Sequence, residues 1–312
     1  MIHTRPYSPD DKAAWDRCVS ESRNGTFMLY RDFMEYHADR FQDQSLLVYD
    51  DDTLIAVLPG SRHGEHWRSH GGLTYAGFVA SRDFRADNAL KAVAAVINHL
   101  KSTGAQSMML KPVPHIYHRM PSEEELYALH RHGAVLFRRD ISSTIPIADR
   151  YSFSKGRKWT INKSRKEGVV VAPSDNWEAF MAIEEALLME KRGVKPVHSA
   201  AEMRYLAGLF PKNIELWLAT LNDEILAGVV TFRSSMVLHA QYIGSIEKGR
   251  MIGAVDAIID HLLTQQCQSH RFFDFGISTT DEGRMLDEAL VANKESYGAR
   301  GTSYDHYRIE FK

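Results

Sequence analysis

The chain has 312 residues, 44% of them apolar and 25% charged, with 38 lysines and arginines against 40 aspartates and glutamates. This is the composition of a globular protein with room for two domains. The near-cancelled charge excludes binding to nucleic acid or anionic membrane through global charge.

Cys18 and Cys267 lie far apart and match no metal or redox spacing, so both are expected to be core thiols in a reducing cytoplasm. The N-terminal segment MIHTRPYSPDDK is polar, which predicts no signal peptide, and no apolar run approaches the roughly 20 residues of a spanning helix. A helix is predicted over 9–22, with Ser8 placed to cap it, Pro9 at its first position, and Asp10 and Asp11 in the first turn. A second is predicted over 31–41, after the Asn24-Gly25 turn. Three β-rich runs follow, SLLVYD, TLIAVLPGSRH and WRSHGGLTYAGFVA, in the manner of an antiparallel meander. Leu90, Val93, Ala94, Ile97 and Leu100 keep helical spacing over 88–102. A strand QSMMLKP, a helix SEEELYALHRHG and a strand or hairpin AVLFRRDISSTIPI close this half.

The second half repeats the plan. VVVAP reads as a strand, 176–190 and 199–209 as helices, and IELWLATL, EILAGVVTFRS and MVLHAQYIGS as three strands joined by turns such as Leu221-Asn222-Asp223. A helix over 254–266, a strand RFFDFG, a helix over 283–297 and a β segment TSYDHYRIEF complete it. The repeated order predicts an internal duplication: an α+β fold of two tandem domains, 1–150 and 151–312, each a mixed, mostly antiparallel sheet flanked by helices. Between the halves, SFSKGRKWTINKSRKEG gathers Lys155, Arg157, Lys158, Lys163, Arg165 and Lys166 without a carboxylate before Glu167. Such a patch suits the phosphates of a small acceptor. Trp159 is its one aromatic, which argues against extended RNA binding.

The stretch 236–298 organises the chain. A buried strand, VLHAQYIG, leads into SIEKGRMIG, which reads as a cationic Gly loop at the start of a helix, the arrangement that holds a pyrophosphate on backbone amides. This order resembles the GNAT N-acyltransferase fold. The tandem copy, with RKWTINKSRKEG, FFDFGIS and NKESYGAR, is similar to the Fem-type, BioF2-like branch, whose aromatic-Asp-Phe-Gly strand and Phe-Lys-x-x-Phe-Gly motif correspond to Phe273–Gly276 and to the run from Asn293 to Gly298. SHGGLTYAGF is similar to members associated with bacterial surface-polysaccharide synthesis. The family's Arg/Gln-x-x-Gly-x-Gly/Ala signature is met by Arg250 and Gly253 in the run from Arg250 to Val255, whose last position is Val255.

The resemblance implies an acyltransferase using acetyl-CoA or another acyl-CoA, with no metal. Direct transfer to an amine needs a positioned donor, a base and a stabilised oxyanion, and no Gly-x-Ser-x-Gly nucleophile motif occurs. Lys248, Gly249, Arg250, Gly253, Ala254 and Ser278 are the expected donor residues. Lys294, by resemblance the motif lysine, is the expected oxyanion stabiliser, and Asp274 and His239 are candidate bases. His239 and Tyr242 lie three apart on one strand and are expected on opposite faces. His70, Tyr75, Arg157, Lys158 and Tyr242 are the expected acceptor residues, with the N-terminal copy on the acceptor side.

The expected function is an acyl-CoA-dependent N-acyltransferase acting on an amino-sugar, free or nucleotide-linked, in surface-polysaccharide synthesis. The alternatives are a Fem-type aminoacyltransferase taking aminoacyl-tRNA to a peptidoglycan precursor, and a catalytically inactive ligand-binding protein. Expected partners are a phosphate-bearing small acceptor, with tRNA second, and no membrane span.

Overall fold

In the computed structural model, which describes residues 1–311, strand β1 (Ile2–Pro6) leads through a 3-10 turn into helix α1 (Lys12–Glu21). Ser8 and Asp11 form a capping box, the Asp11 carboxylate accepting from the Ser8 amide at 3.0 Å and hydroxyl at 2.8 Å. Ser8 thus stands at the start of the 3-10 turn Pro9–Asp11, and the α-helix begins at Lys12, later than the expected start at Pro9. The second helix is shorter than expected, α2 (Arg31–Glu35), with turns following it. Lys312, the last residue of the expected second domain, lies outside the described residues.

Contacts divide the chain into two units. The first comprises Met1–Ile141 with Thr279–Met285 and Ser303–Lys312; the second comprises Ser142–Ser278 and Leu286–Thr302. In the first unit, β2 (Leu46–Asp50) and β3 (Thr53–Leu58) form the start of the meander. Pro59, which has no amide to donate, separates β3 from β4 (Gly60–His63). The third expected run divides into β5 (His66–Ser69) and β6 (Val79–Ala80). Between them the chain turns at Gly71-Gly72, where a Cβ on Gly72 would lie 1.9 Å from His37 Nε2. Helix α3 (Ala86–Ser102), β7 (Ser107–Leu110) and α4 (Glu124–Arg131) follow. The core gathers Leu46, Val48, Ile55, Trp67, Phe78, Val93, Val96, Met108 and Leu129.

The second unit takes the end of strand β8 (Val135–Pro146), then α5 (Lys155–Lys166), β9 (Val170–Ser174), α6 (Trp177–Arg192) and α7 (Ala200–Leu209). Strands β10 (Ile214–Leu221), β11 (Glu224–Arg233) and β12 (Val237–Ser245) form the meander. Asn222 and Asp223 turn β10 into β11 at φ 49° and 64°, the left-handed pair a tight hairpin requires. After α8 (Glu247–Ile252) and α9 (Ala254–His261) come β13 (Phe272–Ile277), α10 (Glu288–Glu295) and β14 (Arg300–Glu310). The sheet order is β9-β10-β11-β12-β13-β8, with β12 and β13 parallel and the other pairs antiparallel.

Leu238, Ala240 and Phe273 join Ile258, Ile259 and Leu262 in this unit's core. Both cysteines are core thiols: Cys18 and Cys267 are buried, and burial pushes each up to about 12. Among the described residues no helix is long and apolar enough to cross a membrane.

Candidate active site

Strands β12 and β13 pair over three positions only, Val237 with Phe272, Leu238 with Phe273 and His239 with Asp274. Beyond His239 the two part, and among the described residues no strand pairs with that edge of β12. The two expected bases therefore stand side by side at the apex of a split in the sheet. Asp274 is fully buried and accepts hydrogen bonds from side chains of β8 and β12. Ser142 Oγ and Thr144 Oγ1 donate to its Oδ1 at 2.5 and 3.2 Å, and His239 Nδ1 donates to its Oδ2 at 2.9 Å. A carboxylate can only accept, so Nδ1 carries a proton, and in the neutral imidazole Nε2 is the nitrogen that presents a lone pair. The His239 side chain is 14% exposed.

The expectation that His239 and Tyr242 face opposite ways is overturned. The register with β11 runs Val230–Tyr242 and then Thr231–Ala240, so Gln241 is an extra residue. A bulge shifts the alternation by one. Leu238, Ala240 and Ile243 thus share the core-facing side, and His239 and Tyr242 share the other. Tyr242 is buried, its hydroxyl 2.6 Å from His198 Nδ1.

Lys294 is also buried. Its ammonium donates to Gly276 O at 2.8 Å, Ile277 O at 3.0 Å and Ser278 Oγ at 2.8 Å, which accounts for its three protons. It fixes the chain as it leaves β13, and Ser278, itself buried, is held in the same way.

The expected Gly loop is a helix. Residues 247–252 form α8, the Arg250 amide bonds Ile246 O at 3.1 Å, and the Gly253 amide bonds Gly249 O at 3.0 Å. These amides are spent inside the helix and do not form a cradle. Gly249 is buried against β11, where a Cβ would lie 2.2 Å from Leu226 O, so its smallness serves packing. Gly253, at φ +84°, ends α8 and opens α9. Ala254 is in the core, Lys248 pairs with Glu224, and Arg250 Nη1 reaches Ser245 O at 3.1 Å.

A cleft of about 750 Å³ opens beside α8 and α9, lined by Gly249, Arg250, Gly253, Ile243 and Ser245 of β12, and Arg157 of α5. Asp256, the third residue of α9, faces it and is buried. Its carboxylate accepts from Arg157 Nη1 at 2.6 Å and from the Tyr297 hydroxyl. Arg157 Nε also donates to Ser296 Oγ at 2.7 Å, and the guanidinium lies over the Tyr297 ring at 4.3 Å. Burial first, and then Asp256, raises the Tyr297 hydroxyl well above its ordinary range.

Arg157 is therefore turned inward from the basic patch, whereas Lys158 and Trp159 remain exposed. His70 and Tyr75 lie in the interior of the first unit: His70 packs against His37 and Phe41, and Tyr75 against Tyr117. Burial, then His37, lowers the His70 imidazole to about 3. Sequence reasoning missed Ser142, Thr144, Asp256 and Tyr297. The signals were there in part: a polar Ser-Ser-Thr run inside an apolar strand, and a tyrosine in the motif Asn293 to Gly298.

The family model of the acetyltransferase (GNAT) domain matches residues 151–304. The chain is similar in fold to FemX, with a TM-score of 0.71 at 13% identity over 99% of this chain and 97% of that one. It is similar to L-PGS from Bacillus licheniformis, with a TM-score of 0.62 at 12% identity over 99% and 94%. A tandem GNAT protein from the clavulanic acid biosynthesis pathway aligns with a TM-score of 0.52 at 8% identity over 99% and 98%. No curated protein sequence matches the chain significantly.

Proposed function

We propose that this chain, whose residues 151–304 match the family model of the acetyltransferase (GNAT) domain and whose fold is similar to that of FemX and of a tandem GNAT protein, moves an acyl group from an ester donor to an amine by direct attack. The observation that carries this reading is the His239–Asp274 pair at the apex of the split between β12 and β13. An extended donor arm laid in the split can hydrogen-bond the unpaired edge of β12, as an added strand would. That places its acyl carbon near His239. The Nε2 lone pair takes the proton the amine sheds as the C–N bond forms, Asp274 stabilises the imidazolium that results, and the imidazolium gives that proton to the ester oxygen as the C–O bond breaks and the alcohol leaves. Backbone amides of the β12 edge are the donors available to the oxyanion.

Coenzyme A and an aminoacyl ester of tRNA ask different things of α9. Coenzyme A needs its pyrophosphate held, and the residues present do not fit that need: the Arg250 and Gly253 amides are spent, and Asp256 puts negative charge at the helix start. The ester donor brought by the Fem-type resemblance needs no such cradle, and the geometry favours it. An amine is all the acceptor chemistry requires, and the amino-sugar expected from sequence is one such amine.

The test is amide formation by the purified chain with labelled aminoacyl-tRNA and, in parallel, with acetyl-CoA, against a panel of amines. Product from the ester donor supports the reading. Product from acetyl-CoA alone overturns the donor, and product from neither overturns transfer itself.

A further inference from the structure

The start of α9 is the place where a GNAT-like chain has an unfilled helix end to offer an anion, and here the chain fills it from within. Asp256 sits one turn into α9, its Oδ2 3.2 Å from where a Cβ on Gly253 would be. A carboxylate at that position satisfies the positive end of the helix dipole. It is tied down from two other elements, by Arg157 of α5 and by Tyr297 beyond α10.

A phosphate arriving in the cleft meets three obstacles. The amides of Arg250 and Gly253 already have helical partners. The Asp256 carboxylate repels it. Arg157, a half-buried cation of the cleft, is shared between Asp256 and Ser296 and stacked on Tyr297. Drawing Arg157 to a phosphate strands Asp256 as an unpaired buried charge, which proteins tolerate poorly. Lys191 and Arg250 also line the cleft, but neither removes the carboxylate.

We infer that Asp256 is a specificity-determining residue: its carboxylate stands where a donor pyrophosphate would lie and turns away donors of the coenzyme A type. The inference rests on the ester-donor reading above and deepens it. It gives Arg157 and Tyr297 a common purpose, holding the carboxylate in place, that neither basic-patch nor motif membership explains.

The experiment is calorimetric titration of coenzyme A, and separately of inorganic pyrophosphate, into the full chain and into Asp256→Asn. The amide keeps an oxygen for Arg157 and Tyr297 and removes the charge. Wild type is expected to show no saturable binding of either ligand, and the variant to bind both at least about tenfold more tightly than wild type. Tight coenzyme binding by wild type, displaced by pyrophosphate, overturns the ester-donor reading and this inference together. A silent wild type with an equally silent variant overturns the role of Asp256 alone. Asp256→Ser repeats the measurement if the amide variant does not fold.

Discussion

Asp274→Asn is the sharpest test of the proposed base, because the geometry dictates which way the amide turns. Oδ1 receives two hydroxyl donors, Ser142 and Thr144, and Oδ2 receives His239 Nδ1. An asparagine oxygen suits the first position and its NH2 falls to the second. There it can only donate, so Nδ1 must accept and the proton moves to Nε2. The imidazole is then present, correctly placed, and unable to take a proton from the amine.

General-base catalysis is worth about 10²–10⁴-fold, or about 3–5 kcal/mol of barrier. The variant is therefore expected to lose about that factor in kcat, with KM for the donor nearly unchanged, since no donor contact is removed. The assay is steady-state amide formation across pH, with thermal unfolding as a check that the fold persists. A folded variant with wild-type kcat refutes the assignment of His239 as base.

Lys294→Met separates two roles. With its three protons on Gly276 O, Ile277 O and Ser278 Oγ, its removal leaves buried acceptors unpaired, and urea unfolding should show a loss of about 3 kcal/mol. Unchanged stability with lost turnover would instead fit the oxyanion role expected from sequence. Gly249→Ala forces a methyl onto Leu226 O at 2.2 Å and should destabilise by about 1–3 kcal/mol, read as a lowered urea midpoint; an unchanged midpoint would contradict the close packing of α8. Glu125 is buried, and burial, with Glu124 and Glu123 adding, pushes its carboxyl from 4.5 up to about 8. The folded chain thus keeps a proton that the unfolded chain releases, so this group's contribution is full below pH about 4.5 and is lost as pH rises to about 8, by about 5 kcal/mol at most. Glu125→Gln should abolish that loss, and a wild-type-minus-variant difference that does not change between pH 5 and 8 would sink the argument.

What was legible in the sequence was local chemistry. The Asn222-Asp223 turn and the apolar runs of the second meander announce themselves within a few residues and are where they were expected, and Ser8 caps where it was expected to, although the turn it opens is 3-10 before the α-helix begins at Lys12. What was not legible depends on partners far along the chain. Nothing in Ala240-Gln241-Tyr242 signals a bulge, yet that one residue decides which face His239 presents. Gly249 in SIEKGRMIG looks like loop glycine because its reason, the carbonyl of Leu226, lies on another strand. Ser142 and Thr144 meet Asp274 from more than a hundred residues away.

The match to the Arg-x-x-Gly signature shows where this limit matters for function. Arg250 and Gly253 mark correctly where α9 begins, because a left-handed glycine between α8 and α9 is a local requirement. Whether the amides there are free is settled by helical hydrogen bonds, and whether the helix end is electrically empty is settled by Asp256, Arg157 and Tyr297 from three separate elements. A signature of spacing reports the first condition and is silent on the other two. On the proposal made above, reaction chemistry and donor recognition are separable in this fold: the split holds His239 beside Asp274, while Asp256 sets the chain's own negative charge at the start of α9.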